Sequence, residues 1–482
     1  MGACAEELLS SLNEQQRNAV QCTEGPLLVL AGAGTGKTKV ISTRIAYLLQ
    51  RGVAPHQILA VTFTRKAAAE MKMRIAQLLD RTPFGLTVST FHSLGFRILR
   101  ELTSGELRVV EEVEKLKLIQ SLVSLFRLDL DPEHTLYQIS RAKNSGLSPA
   151  DVRERATTPE EEDLAVCYAA YSEELRSKGV IDLDDMISLP ADRLRRSAVA
   201  QARYARRWRY VLIDEYQDTN RAQYQLMRSI LGDNSNICVV GDDDQSIYGF
   251  RGATVERILS FKEDFPNATS IALEMNYRSH AEIISLANSI IARAKKRHPK
   301  RLVSHLGPGA RIEWKRVGHE EAEAHYIAAQ IRSLVATGEF SFSDIGVIAR
   351  VSQATETIRN VLKACAVPCV VGKGTPGESA VTVMTLHQAK GLEFPVVFIP
   401  ALEEDTLPHY YAVKEGPAAI EEERRLLYVA VTRAKKRLFL TSSASRNGHD
   451  RSISRFIREL PLRSPVRWQI ELSRFTALFG RA

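Results

Sequence analysis

Short apolar runs, each followed by a polar or glycine-rich turn and then by a stretch of helical spacing, recur along most of the chain. In a first series they are Leu27 to Leu30, Ile58 to Val61, Leu86 to Ser89, Tyr210 to Ile213, Ile237 to Val240 and Ser270 to Leu273. Runs this short and this apolar read as strands buried on both faces of a parallel sheet. The stretches between them have helical length: Lys39 to Gln50, the alanine-rich run ending near Leu79, and a helix starting within Leu12 to Arg17 with Asn13 as its cap. Strands alternating with helices predict an α/β fold whose ligands sit at the C-terminal ends of the strands.

The alternation breaks once. From about Glu101 to Pro190 strand signals vanish and charge runs such as Glu111-Glu112-Val113-Glu114-Lys115 crowd in, which predicts a helical insertion with solvated faces. It then resumes at Tyr210, and a second series of strands follows near Ile312, at Ile345 to Ala349, Val381 to Thr385, Val396 to Ile399 and Arg437 to Thr441. The expected organisation is a first α/β domain from residues 1–100 and 191–270, the insertion at 101–190, and a second α/β domain at 271–482. Within the last, residues 372–380 (Gly372-Lys373-Gly374-Thr375-Pro376-Gly377-Glu378-Ser379-Ala380) form a linker rich in turn formers.

Charge and composition change this picture little. Lys+Arg 65 against Asp+Glu 57 is a mild basic excess, compatible with a polyanionic partner and weak evidence alone. The cysteines are scattered without a zinc spacing and read as free thiols in a reducing compartment. No apolar run reaches the ~18 residues of a membrane span and the N-terminus lacks a signal pattern, so a cytoplasmic protein without a membrane partner is expected.

The chemistry concentrates at strand ends. Ala31-Gly32-Ala33-Gly34-Thr35-Gly36-Lys37-Thr38 follows the first strand and opens a helix, the context a phosphate-binding loop requires. Its glycines let backbone N–H groups face a triphosphate, Lys37 would reach the β- and γ-phosphates, and the Thr38 hydroxyl would bind Mg²⁺. Asp214 and Glu215 close another strand. Taken alone they suit a helix cap; beside a phosphate loop they suit Mg²⁺ binding and activation of the attacking water. Gly241 to Gly252 mixes acids, Gln245, Tyr248, Phe250 and Arg251 in a Gly- and Asp-rich turn, where exposed rings would stack on bases rather than fill a core. Phe63 and Phe91, each at a strand end beside threonine, suit the same use, whereas His92 taken singly suits a structural role.

These motifs, in this order, resemble a superfamily 1A DNA helicase of the UvrD/Rep/PcrA type, and the likeness covers nearly the whole chain. Leu12 to Arg17 resembles the Q motif, the phosphate loop motif I, Thr62-Phe63-Thr64-Arg65 motif Ia and Thr90-Phe91-His92-Ser93 motif Ib. Asp214-Glu215-Tyr216-Gln217-Asp218 resembles motif II and Gly241 to Gly252 motif III. Asn276-Tyr277-Arg278, Thr385-Leu386-His387 to Glu393, and Glu421 to Arg433 resemble motifs IV, V and VI.

The resemblance implies two RecA-like parallel-sheet motor domains in tandem, with a 1B-like helical insertion in the first. It implies ATP and Mg²⁺ as cofactors, single-stranded DNA and duplex junctions as partners, an accessory repair or replication protein, and 3′-to-5′ unwinding. By the same likeness Gln16 reads adenine, Lys39 and Tyr277 flank it, Glu393 binds the ribose, and Gln245, Arg278 and Arg433 reach the γ-phosphate. Phe63, Thr90, Phe91, His92, Tyr248, Phe250, Arg251 and His387 contact DNA. Three departures stand out: Phe250 where the family usually has Trp, Lys39 where it has Arg, and residues 372–380 where it inserts the whole 2B domain. A DNA-stimulated ATPase subunit that unwinds only with a partner is the alternative.

Overall fold

The computed structural model describes residues 5–103, 106–372 and 379–460. The chain divides into two compact units, Met1–Ala31 with Lys37–Leu273, and Gly32–Gly36 with Glu274–Ala482. Both are α/β with parallel sheets, as the resemblance implies.

The first unit holds β1 (Leu27–Ala31), β2 (Ile58–Thr62), β3 (Thr87–Thr90), β4 (Arg108–Val109), β5 (Val180–Ile181), β6 (Tyr210–Ile213), β7 (Ile237–Gly241) and β8 (Thr269–Leu273). Six of these form one parallel sheet in the order β3-β2-β6-β7-β1-β8. Successive side chains of a strand point to opposite faces, and here both faces are covered. Leu28, Leu30, Val61, Val211, Ile213 and Val239 pack into one core, and Leu27, Val29, Ala60, Leu212 and Val240 into the other. That double burial is why β1, β2, β6 and β7 are apolar almost throughout, whereas the edge strands β3 and β8 carry Thr and Ser. The order sets β1, β7 and β6 side by side, so the phosphate loop, the Gly241 turn and the Asp214-Glu215 pair leave the sheet at one edge.

The insertion is helical apart from the short parallel pair β4–β5, which the sequence reading did not anticipate. Its expected ends shift as well. Residue 100 falls inside the helix Phe91–Leu102 and residue 190 inside the helix Asp185–Arg195. Ile187, Ala191 and Leu194 of the latter belong to the first unit's core. Pro190 lies inside that helix, and its single missing N–H is tolerated because the helix is clamped by that core.

A buried ion triad ties the insertion together. Lys143 Nζ donates to Asp182 Oδ2 and to Asp185 Oδ1, both at 2.7 Å, and Tyr171 Oη donates to Asp182 Oδ2 at 3.0 Å. Next to it Asp184 accepts from Ser140 Oγ (2.7 Å) and Asn144 Nδ2 (2.9 Å). Asn144 Oδ1 in turn accepts from Asn220 Nδ2 at 2.6 Å. Asn220 caps the helix Arg221–Leu231 and bridges to Ala253.

The second unit carries β9 (Met275–Asn276), β10 (Val303–Ser304), β11 (Arg311–His319), β12 (Ile345–Ala349), β13 (Cys369–Val371), β14 (Val381–Thr385), β15 (Phe394–Ile399), β16 (Ala434–Arg446) and β17 (His449–Asp450). The main sheet runs β11-β16-β15-β12-β14-β13, parallel throughout, with β17 antiparallel on β16. β8 ends at Leu273, so the first unit extends three residues past its expected limit of 270. Of the 372–380 linker, residues 373–378 lie outside the described residues. Among the described residues no helix is long and apolar enough to cross a membrane.

Candidate functional site

β1 runs into a turn where Gly34 and Gly36 take φ of 67° and 87°, a conformation that penalises any side chain with a Cβ. Ala31 stands where a first glycine is usual, but it is the buried last residue of the strand and needs no such freedom. Gly32 and Ala33 are buried, and Thr35 Oγ1 donates to Gly32 O at 2.8 Å, closing the turn on itself. The helix Lys37–Gln50 starts directly after it. The unsatisfied N–H groups of a helix start, with the positive end of its dipole, favour a bound anion. Lys37 Nζ donates to Ala31 O at 3.3 Å and stands 4.0 Å from Glu215 Oε2. Thr38 is half-buried in that first helical turn. Lys39 turns its Nζ to Ser11 O at 2.6 Å.

Gln16 is buried, and its Oε1 accepts from Asn13 N at 3.2 Å while Asn13 Oδ1 accepts from Gln16 N at 2.8 Å. The pair forms a capping box on the helix Glu14–Gln21. The amide expected to read adenine is thereby held in one orientation.

Asp214 and Glu215 follow β6. Burial and the neighbouring Glu215 charge push the Asp214 carboxyl up to about 7, against the pull of Lys37. Glu215 adopts φ 52°, rare for a residue with a Cβ and a form of strain associated with functional turns. Gln217 Nε2 donates to Glu215 Oε2 at 2.6 Å, and Gln217 Oε1 accepts from Asp242 N at 2.9 Å. Asp242 Oδ2 then accepts from Gln245 Nε2 at 2.6 Å. One hydrogen-bonded chain thus leads from the carboxylate after β6 to the turn after β7. Gln217 lies within the run that resembles motif II, and its one signal in the sequence is an amide two residues beyond a strand-end carboxylate.

That turn ends in aromatic rings. Phe63 and Tyr248 lie parallel within 7°, with centroids 6.0 Å apart, and Phe250 meets Tyr248 edge-on at the same distance. Phe250 is 51% exposed. The row is therefore a surface feature, as expected for rings that stack on bases. The Arg251 side chain lies outside the described residues.

Phe91 does not join it. The ring is 3% exposed and packs in the core with Leu59, Val61 and Ile213. Its helix begins at Phe91 itself, capped by Thr90, whose Oγ1 accepts from Ser93 N at 3.2 Å. The helix start turns the ring inward, so the expectation of an exposed stacking ring is corrected. Thr90 is buried in the capping role, and His92 is half-buried, its pKa lowered by burial against the opposing charge of Asp184.

In the second unit Asn276 Oδ1 accepts from Arg278 N and Ser279 N, at 2.9 and 2.8 Å, which shapes the turn that presents Tyr277. The Tyr277 ring is 39% exposed and lies 4.9 Å from the His305 ring. Arg278 Nε donates to Glu393 Oε2 at 2.6 Å and its Nη1 to Thr432 O at 3.1 Å. Glu393 also pairs with Lys435 at 2.7 Å, a partner the sequence reading missed. Arg433 is buried, with Nε donating to Val429 O and Nη1 to Leu392 O. Motifs IV, V and VI thus converge on one cluster of charge around Glu393. His387 lies half-buried in the turn after β14.

Among the described residues no group of three or more His, Cys, Asp or Glu side chains converges to cage a metal. Thr38 and Asp214 offer one hydroxyl and one carboxylate, the sparse protein donor set of a largely hydrated ion bound with phosphate.

A model of the UvrD/REP helicase N-terminal domain matches residues 12–266, and one of the UvrD-like helicase C-terminal domain matches 271–376 and 372–445. The chain is 31% identical to an ATP-dependent DNA helicase PcrA of Leuconostoc citreum, over 94% of this chain and 85% of the relative. It is 30% identical to the protein of that name from Bacillus subtilis strain 168, over 96% and 87% respectively. These alignments run to 642 and 644 positions against a chain of 482 residues, so stretches of each relative stand opposite no residue here.

Proposed function

Because the chain belongs to the UvrD/Rep family of ATP-dependent DNA helicases, we propose that it is a cytoplasmic motor that steps 3′-to-5′ along single-stranded DNA and opens duplex junctions in repair or replication. The observation that carries this reading is the hydrogen-bonded chain from Glu215 through Gln217 and Asp242 to Gln245, which ends beside the Phe63–Tyr248–Phe250 row. The carboxylate read as the water activator is thereby linked by hydrogen bonds to the turn that carries the rings read as the stacking surface.

ATP is held by the turn Ala31 to Gly36, with Lys37 placing positive charge on its phosphates and Gln16, Lys39 and Tyr277 recognising the adenine. Glu393 serves the ribose. Glu215 orients the attacking water and takes its proton. Thr38 and Asp214 hold Mg²⁺, which fits the buried, poorly neutralised Asp214 carboxyl and supplies charge stabilisation on the phosphates. Arg278 and Arg433 offset the charge that develops on the transferred phosphoryl group, an effect worth ~10³–10⁵ in rate for such arginines. Gln245 senses the γ-phosphate. Phe63, Tyr248 and Phe250 stack on bases, and Arg251, Thr90, His92 and His387 line the strand's path.

The relatives' unmatched stretches, and a C-terminal match in two pieces that meet at 372–376, support the reading that a 2B domain is replaced by the 372–380 linker. With fewer phosphate contacts to the duplex, unwinding by the lone chain is expected to be short and salt-sensitive. This favours, as a second reading, an ATPase that unwinds fully only with a partner protein. Steady-state ATPase with single-stranded DNA or RNA, paired with single-turnover unwinding of 3′- and 5′-tailed duplexes, tests both. The motor reading fails if DNA does not stimulate turnover. Processive unwinding by the lone chain removes the need for a partner.

A further inference from the structure

Gln217 is fully buried, and both ends of its amide are engaged with functional segments. It spans the C-terminal ends of the neighbouring strands β6 and β7, donating to the Glu215 carboxylate on one side and accepting from the Asp242 backbone on the other. Its own carbonyl lies 3.4 Å from the donating Ser246 Oγ. Packing leaves the amide little freedom: a Cβ on Gly241 would come within 2.5 Å of Gln217 Oε1 and 2.9 Å of Ile258 Cδ1. Asp242, once fixed by Gln217, fixes the following turn through Oδ1, which accepts from Asp244 N (3.2 Å), and Oδ2, which accepts from Gln245 Nε2 (2.6 Å). Tyr248 stands three residues farther on and faces Phe63.

We propose that Gln217 is a positioning residue that holds the Glu215 carboxylate and makes its position depend on the turn 242–250, so that engagement of the base and the grip on the strand change together. The proposal rests on the reading of Glu215 as the base and of Tyr248 and Phe250 as the stacking surface. Only an amide of this length meets the geometry. Glutamate would set a second carboxylate against Glu215 Oε2, asparagine is one methylene short, and methionine leaves the buried Asp242 N–H without its acceptor.

The test compares wild type with Gln217→Met, Gln217→Glu and Gly241→Ala, the last displacing the amide without removing a functional group. Two quantities are read on the same samples: kcat of the DNA-stimulated ATPase, and ATP hydrolysed per nucleotide advanced, from translocation kinetics on oligo-dT of graded length. Loss of a hydrogen bond to a charged group predicts a fall in kcat of about tenfold or more, and loss of coupling a rise in ATP per nucleotide of about threefold or more. A partly unfolded sample lowers both rates together and leaves the ratio unchanged, which separates positioning from mere structural support. Folded variants with the wild-type ratio overturn the proposal. So does failure of all three to fold, which would make Gln217 a structural tie. If wild type itself hydrolyses ATP without advancing on DNA, the motor reading fails first and takes this proposal with it.

Discussion

The rings of Phe63 and Tyr248 lie within 7° of parallel, at a centroid spacing inside the range of offset aromatic pairs. One ring comes from the end of β2 and the other from the turn after β7, so the sheet itself holds them in register. Phe250 extends the row into solvent. Phe250→Ala is expected to cost about 1–3 kcal/mol of single-strand affinity with little change in stability, and Phe250→Trp to tighten binding. Phe91→Ala should do the reverse, costing about 3–5 kcal/mol of stability and leaving the affinity of the folded protein intact. Fluorescence anisotropy with dT oligomers and urea unfolding read the two effects separately.

Lys37→Ala and Glu215→Gln should both abolish turnover by different routes. The first removes the charge beside the phosphate turn and weakens ATP binding. The second keeps the side-chain shape and loses the proton acceptor, so nucleotide still binds. Equilibrium titration with a fluorescent ATP analogue, run beside the ATPase assay, distinguishes them. Near wild-type hydrolysis by Glu215→Gln would move the base elsewhere.

Replacing Lys143 by methionine strands two buried carboxylates. Burial alone would lower the lysine's pKa, but Asp185 and Asp182 outweigh it and hold the cation firmly protonated. Removing one partner of such a buried set costs about 3–5 kcal/mol. The triple change Lys143→Met, Asp182→Asn, Asp185→Asn should recover part of that loss. Urea unfolding of the two proteins measures the difference.

Glu393 gives the second unit a defined acid response. Burial raises its pKa, yet the charge of Arg278 and the hydrogen bonds from Lys435 and Arg278 bring it below the ordinary 4.5. A carboxylate with a depressed folded pKa contributes stability that is complete above its unfolded value and is lost as pH falls through the folded one. Wild type should therefore lose more of its urea midpoint than Glu393→Gln when acidified from neutrality to below 4.5. The side chain is 42% exposed, so added salt should shrink the gap.

Much of this was legible in the chain, for identifiable reasons. The glycine-rich turn after β1 and the acidic pair after β6 stand out through composition and order, because each follows an apolar run and the turn opens directly into a helix. Phe91 misled because Thr90-Phe91 looks like Thr62-Phe63. What differs is that Thr90 caps a helix starting at once, while Thr64 caps the helix after Phe63 and leaves that ring outside. Gln217 and Lys435 act through partners distant in sequence or across a turn, and no local spacing reveals such a pairing.

The Asn144–Asn220 hydrogen bond has a consequence for anyone wishing to redesign this motor. Its acceptor belongs to the helical insertion and its donor caps the helix that follows the acidic pair, so the insertion is wired into the machinery and cannot be treated as an interchangeable module. A graft that trims the region between its outer helices would leave the Asn220 amide facing a void and loosen the strut that reaches Ala253. A transplanted replacement would need to bring, at the same height above the sheet, a carbonyl or carboxylate to receive that amide.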